Sequence, residues 1–567
     1  MKKINNILKI MVVLLGVISF TSCETTELDL TQNPNALSPE QASPDFFLNG
    51  IQVSFAGFVE SFGYVGGQLT RMDQMSGLQY VNAYGPGSFS GRWSSAYSTL
   101  MKDISLMNNL AIEKGMKNHV AMAEVMQAYV LFTLVDFFGN VPYSEAIDSE
   151  NLNPAADDGA SVYAAAMALL DSAIAGFDND APKPQYDFFY NKNWDQWKKA
   201  ANTLKMKAYM ATRLVDGSAV SNFNAIVSSG NYISSAADDF QFTWGNNEVQ
   251  PDTRHPRYRS SYTGSGANTY RSNSMMDYMT GTTDAAYSSP WNFDIRTLYY
   301  FYRQVSATPG VGGAPADEEV LECGLIVPPA HYAGYTWCGV PKGWWGRDHG
   351  NEAGIPPDGL SRALTGIYPA GGVLDDLSYD SQINGAGQGG KGITPIMLAS
   401  WTKFMIAETQ MASGDAASAR TTMFEGINMS IDKVINFAPS TPRFDWIFGT
   451  NSGGPAIAHQ DSYIGWFLGD LAIDWDGGDM TDKWDILANQ YFVALYGNGI
   501  DAYNFYRRTG YPTTLQPNLE PNPGNFPKSM WYPASYANNN SNATQKSNLD
   551  VQVFWDNNPV TGFPAAN

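Results

Sequence analysis

Helical periodicity fills both ends of this chain and is absent from its middle, so any fold must join two helical stretches across a long irregular one. From Ala121 to Phe138 the residues Met122, Val125, Met126, Tyr129, Phe132, Leu134 and Val135 are apolar on nearly every side, which predicts a buried helix ended by Gly139 and Pro142. Trp197, Ala201, Leu204, Ala208, Ala211 and Val215 alternate four and three apart, as one buried stripe requires, with Lys198, Lys199, Lys205 and Arg213 on the outer parts. Beyond the middle, Met397, Trp401, Phe404, Glu408 and Met411 mark one helix, and Ala416, Ala419, Met423, Ile427 and Val434 the next. The turn at Ser413 and Gly414 makes these two an antiparallel hairpin. A further helix runs from about Asp482 to Tyr496, with Trp484, Leu487, Tyr491 and Leu495 inward. Between Asp238 and Thr394, Gly, Pro, Tyr, Trp and Ser dominate without a long amphipathic run, which predicts an irregular insert. Helical pairs on either side of it suggest tetratricopeptide-like stacking and a mainly α fold.

The N-terminus carries an address. Lys2, Lys3 and Lys9 precede an apolar stretch from Ile10 to Phe20, about half the roughly 20 residues that cross a bilayer, and then Thr21, Ser22 and Cys23. This resembles a bacterial lipoprotein signal, with residues 1–22 removed and Cys23 lipidated as the new N-terminus; the alternative is an ordinary secretory signal. Residues 23–45, punctuated by Pro34, Pro39 and Pro44, read as an extended tether. A single domain is expected over 46–567, helical in 46–237 and 395–505, with the insert at 238–394 and a loop-rich C-terminus at 506–567.

After the leader, 31 basic and 55 acidic residues leave a charge of about −24. Phosphate backbones and anionic headgroups would repel such a chain, so nucleic acid is excluded as an expected partner and membrane attachment falls to the lipid. Cys323 and Cys338 are two thiols in an exported chain, enough for one disulfide, or else two separately buried thiols. Aromatic residues make up 13% of the chain and charged residues only 16%, a balance suited to sugar rings, which offer an apolar face and polar edges.

Catalytic patterns are missing. Gly385, Gly387 and Gly390 satisfy GxGxxG without a preceding strand, and His119, His255, His331, His349 and His459 form no metal or nucleophile motif. No cofactor is expected. Asp474, Asp476, Asp479 and Asp482 leave a structural calcium ion as an alternative to a solvated turn in which Thr481 or Asp482 caps the next helix. A pair of carboxylates, which is all a glycosidase requires, is not excluded.

Several strings, taken together, resemble the SusD/RagB-like outer-membrane lipoproteins, in particular their second SusD-like group. They are LDLTQNPN at Leu28–Asn35, DFFGNVPYSEA at Asp136–Ala146, ANTLKMKAYMATRL at Ala201–Leu214, GWWGRDHGNEAGIPPDG at Gly343–Gly359, GIYPAGG at Gly366–Gly372 and LYGNGIDAYNFYRRTGYP at Leu495–Pro512. Near the end the chain departs from the family pattern, with Asn525, Phe526, Pro527 and Lys528 ahead of Trp531, Tyr532 and Pro533. The resemblance implies four tetratricopeptide-like helix pairs with the insert packed on one side. It also implies a non-enzymatic binding protein at the cell surface, the lid of a SusC-type TonB-dependent outer-membrane transporter. The ligand would be an oligosaccharide or, as in the RagB branch, a peptide; a lipid-anchored glycoside hydrolase is the rival of another class.

The motifs themselves read as scaffold, Arg347, Asp348 and His349 included, the last three as a buried ion-paired loop. Ligand residues are expected among loop aromatics and amides: Tyr80, Asn82 and Tyr84 in a glycine-rich stretch, and Trp291, Asn292 and Trp337 in the insert.

Overall fold

The computed structural model describes residues 43–148, 150–281, 293–316, 319–352, 358–438 and 460–558. Cys23 and its tether lie outside these residues. The helical body begins with α1 (Pro44–Leu69), followed by α2 (Lys102–Glu113), α3 (Lys117–Phe138), α4 (Gly159–Gly176), α5 (Trp194–Thr212) and α6 (Ala219–Ser229). Neighbours in this series pack on one another, α3 against α4 most extensively. Gly139 ends α3 at a positive φ (+77°) that suits a residue without a Cβ, and Asp158 caps α4 by accepting from the Ala160 amide at 3.0 Å. Helix α5 stops three residues short of Val215, which is exposed. Arg213, expected on an outer face, is instead buried, because its guanidinium reaches Glu408 at 3.2 Å across the core.

The insert leaves and re-enters this body through a single antiparallel ladder. Strand β1 (Phe240–Thr243) pairs with β4 (Ile393–Met397), Thr243 opposite Ile393 and Phe240 opposite Met397. Met397 therefore belongs to a strand, and the helix expected from it begins at Ala399. A second short ladder joins β2 (Phe301–Tyr302) to β3 (Leu364–Thr365), and the short helix α7 (Asn273–Thr280) also lies within the insert. Arg257 ties the insert to α1: its guanidinium bonds Glu60 at 2.6 Å and Asp73 at 2.8 Å, and these carboxylates outweigh burial to push its pKa up.

The body resumes with the hairpin α8 (Ala399–Ala412) and α9 (Ala416–Ile435), then α10 (Gln460–Gly477), α11 (Met480–Ala494) and α12 (Ile500–Thr509). Helix α12 packs back on α1, which closes the first and last long helices into one core. The chain is mainly α.

The motif residues hold this closure. Asp136 at the end of α3 accepts from Asn504 Nδ2 at 2.6 Å, from Trp555 Nε1 at 3.0 Å and from the Tyr163 hydroxyl. Arg507 lies over the Tyr503 ring at 3.8 Å and donates to the Lys528 carbonyl at 2.5 Å. Asp479, rather than Thr481 or Asp482, caps α11 in a reciprocal capping box with Asp482. Gly387 of the glycine-rich loop sits against the Gly372 carbonyl, where a Cβ would come within 2.0 Å of the oxygen. Among the described residues, no group of three or more His, Cys, Asp or Glu side chains is arranged to hold a metal ion.

Candidate binding cleft

Faces of α7, α10 and α11, the last two joined at Gly478, enclose with the segments 333–336 and 514–516 a cleft of about 1030 Å³ on the insert side of the body; α10 contributes Phe467, Leu471, Ile473 and Asp474. Helix α7 buries Met275, Met276 and Met279, so its phase turns Ser274, Asp277 and Tyr278 outward into the cleft. Helix α11 buries Trp484, Leu487, Ala488 and Tyr491, and turns the row Asp482, Asp485, Ile486 and Asn489 toward α7. Residues Ala333 to Thr336 of the insert form the third wall. Tyr278 and Tyr335 present 38% and 37% of their surface to solvent.

The polar floor is locked in place. Gln490 Nε2 donates to the Tyr278 hydroxyl at 2.9 Å, while Gln490 Oε1 accepts from Arg296 at 2.8 Å. Arg296 is fully buried and paired with Asp294. The Thr336 hydroxyl donates to Asp277, and Asp485 accepts from the Thr513 amide and hydroxyl, both at 2.5 Å. Burial nevertheless pushes the Asp485 carboxyl up. Asp277, Asp294, Asp474, Asp482 and Asp485 all border the space, and among the described residues no Lys, Arg or His lines it. Such a wall disfavours anionic ligands and admits neutral or cationic ones. A second cavity, of about 850 Å³ beside β1 and β4, has Phe437 as the one aromatic among its described lining residues, and its Lys433 is consumed by Asp239 at 2.6 Å.

The residues expected to bind ligand do not gather here. Tyr80 and Tyr84 are only 4% and 3% exposed. Tyr80 packs on Phe526 and His349, and its amide donates to the Pro523 carbonyl at 3.0 Å; Tyr84 packs on Phe89. The glycine-rich stretch is pulled onto the core by distant chain, which removes both rings from solvent. Asn82 is exposed but does not line the cleft. Trp291 and Asn292 lie outside the described residues. Trp337 is half-buried; its indole N–H donates to the Cys323 carbonyl at 3.0 Å and its ring meets Tyr332 edge-on. Cys323 and Cys338 form a disulfide with their Cα atoms 5.5 Å apart.

Arg347, Asp348 and His349 are buried. Asp348 accepts from the Asn273 amide group at 2.8 Å, the Cys338 backbone at 2.6 Å and Gln516 at 3.0 Å. The residues that do line the cleft were signalled by phase alone: the apolar stripe Trp484, Leu487 and Tyr491 puts Asp482, Asp485 and Asn489 on one opposite face.

Comparison with known proteins matches the chain in two parts. Residues 41–289 match the family model described as starch-binding, associating with the outer membrane, and residues 394–555 match that of the SusD and RagB outer-membrane lipoproteins. No curated protein matches. Among solved structures, a SusD homologue from Bacteroides fragilis is 18% identical, covers 91% of this chain and 99% of its own, and superposes with a TM-score of 0.60. A chitin-binding SusD homologue from Flavobacterium johnsoniae is 17% identical, with 91% and 100% covered and a TM-score of 0.60. A SusD/RagB family protein from Bacteroides thetaiotaomicron gives 18%, 91%, 99% and 0.59. At these identities the likeness is one of fold.

Proposed function

Because the chain belongs to the SusD/RagB-like family, whose models describe outer-membrane proteins, we propose that it is a lipid-anchored surface protein that captures an oligosaccharide without cleaving it. It would pass that ligand to a SusC-type TonB-dependent transporter, which it covers as a lid. The observation that carries the proposal is the pair Tyr278 and Tyr335, half-exposed over a polar floor of Gln490, Asn489 and Thr336. Aromatic faces stack on pyranose rings while the amides and hydroxyls take up the sugar hydroxyls. The chitin-binding relative and the starch-binding family model both support a glycan. Binding without turnover fits the carboxylates of the cleft, since Asp277, Asp294 and Asp485 are each engaged by Thr336, Arg296 or Thr513.

Titration calorimetry with chitohexaose, maltoheptaose and a panel of peptides tests this, alongside chromatography of the same mixtures for products. A glycan is expected to bind and to be recovered intact; efficient cleavage would overturn the proposal. The five aspartates of the lining favour a second candidate, a cationic peptide, which the same panel distinguishes. For the anchor, Cys23→Ala is expected to release the protein from membranes, because each buried lipid methylene contributes about 0.8 kcal/mol and the acidic chain offers no substitute. A variant that still sediments with membranes in a strain lacking the transporter would show another anchor.

A further inference from the structure

The cleft wall Ala333–Thr336 belongs to a loop whose two ends are joined by the Cys323–Cys338 disulfide, fifteen positions apart. The far side of this loop has no core to rest on: Leu325, Ile326 and Val327 are all exposed. Its tertiary contacts fall at the neck and at one turn, where the His331 ring bonds the Asn518 carbonyl at 3.1 Å. At the neck Trp337 Nε1 donates across to the Cys323 carbonyl at 3.0 Å. Cys338 takes a left-handed backbone (φ +64°), which is costly for a residue with a side chain, and its N–H is held by Asp348 at 2.6 Å. Gln516 Nε2 donates to both the Thr336 carbonyl and Asp348 at 3.0 Å, so one buried donor ties the wall to the carboxylate that holds the neck. Tyr332, against the Trp337 ring at 5.1 Å, donates its hydroxyl to the Pro517 carbonyl at 3.2 Å.

We infer that this neck, the Cys323–Cys338 bond with Trp337 and Asp348, is a positioning element that presents Tyr335 to the ligand. The inference rests on the cleft being the binding site. A loop with an unclosed neck would sample many arrangements, and the ligand would have to order Tyr335 at the cost of affinity.

The test uses the full chain as Cys323→Ser/Cys338→Ser, Tyr335→Ala, and the three substitutions combined. Amide exchange of residues 324–337 in the ligand-free protein is expected to accelerate at least tenfold in the cysteine variant, with exchange in α3 and α8 unchanged. Affinity for chitohexaose or maltoheptaose is expected to fall about tenfold in the cysteine variant, and the combined variant should be no weaker than Tyr335→Ala alone, as for two changes acting through one group. Unchanged loop exchange, or losses that multiply in the combined variant, would overturn the positioning role while leaving the cleft intact as a site. If Tyr335→Ala binds as tightly as the unaltered protein, the cleft assignment itself fails and the positioning role with it. Should the cysteine variant not fold, Trp337→Phe removes the cross-neck hydrogen bond, keeps the ring, and is expected to move both readouts in the same direction.

Discussion

Gln490 donates its side-chain N–H to the hydroxyl of Tyr278 at 2.9 Å, and through its other end accepts from a fully buried arginine, Arg296, at 2.8 Å. One amide therefore couples an exposed aromatic ring to the core, so the ring meets its ligand already oriented and little rotamer entropy remains to be lost on binding. Replacing Tyr278 by alanine is expected to weaken glycan binding by about 1–3 kcal/mol with little change in melting temperature. Tyr278→Phe, which keeps the ring and loses the acceptor, should lose a smaller part of that affinity. Calorimetry beside thermal melts checks both; a melting point that falls in step with affinity would mean that the ring serves the fold.

Salt separates the two candidate ligands. Five aspartates, and no basic residue among those described, border the cleft. A neutral oligosaccharide should bind equally well at low and high sodium chloride, whereas a cationic peptide should lose affinity steadily as the carboxylates are screened. Titrations at two ionic strengths read this directly.

Glu408 is the electrostatic centre of the second helical half. It is fully buried and accepts from Arg508 at 2.6 Å and Arg213 at 3.2 Å. Burial alone would raise its carboxyl, but Arg508 and Arg213 outweigh that and hold it below its ordinary value of 4.5. The stability it contributes is thus complete above pH 4.5 and is lost as pH falls through the lower folded value. Glu408→Ala strands two buried guanidiniums and is expected to cost about 3–5 kcal/mol, measured as a lower denaturant midpoint at neutral pH. Arg213→Met should cost less, because Arg508 still satisfies the carboxylate.

His255 and Asp348 should bend the pH profile in opposite directions. His255 is completely buried; its Nε2–H donates to the Ile393 carbonyl at 3.0 Å and its Nδ1 accepts from the Arg257 amide at 3.1 Å, which fixes a neutral ring. Burial lowers its pKa to about 4 from 6.5, so between these values the unfolded chain binds the extra proton and stability falls as the solution is acidified. Burial raises Asp348 to about 6 from 3.8, so there the folded state takes up the proton and stability is gained on acidification. Compared with the unaltered protein between pH 7 and pH 5, His255→Asn should therefore lose less stability and Asp348→Asn more. Melting curves at the two pH values, taken for both variants, give the signs.

The helices, their phases and the family motifs were legible because each depends on residues three or four apart, or on a string such as DFFGNVPY whose turn ends a helix where it stands. Positions decided by distant chain were not. Tyr84 looks like a loop aromatic until Phe89 and the core close over it, and Tyr80 is buried partly by Phe526, more than four hundred residues away. Arg213 follows the outer face of its helix by spacing, yet its partner Glu408 comes from 195 positions further on. The cleft escaped notice for the same reason: α7 and α11 each show an unremarkable polar face, and only the fold sets the two faces opposite one another.

The ladder between β1 and β4 has a consequence for how such a chain can change over time. The segment between Thr243 and Ile393 starts and finishes on paired positions of one two-stranded ribbon, so the helical scaffold sees the same two attachment points whatever lies between them. Lengthening, shortening or exchanging loops of the intervening stretch leaves the register of the flanking helices untouched, provided that Arg257 still grips α1 and that Arg296, Tyr300 and Phe301 keep their places against the helical core. The molecule is in effect a fixed handle with a head of interchangeable loops, and diversity in what it grasps can accumulate in those loops without the handle having to refold.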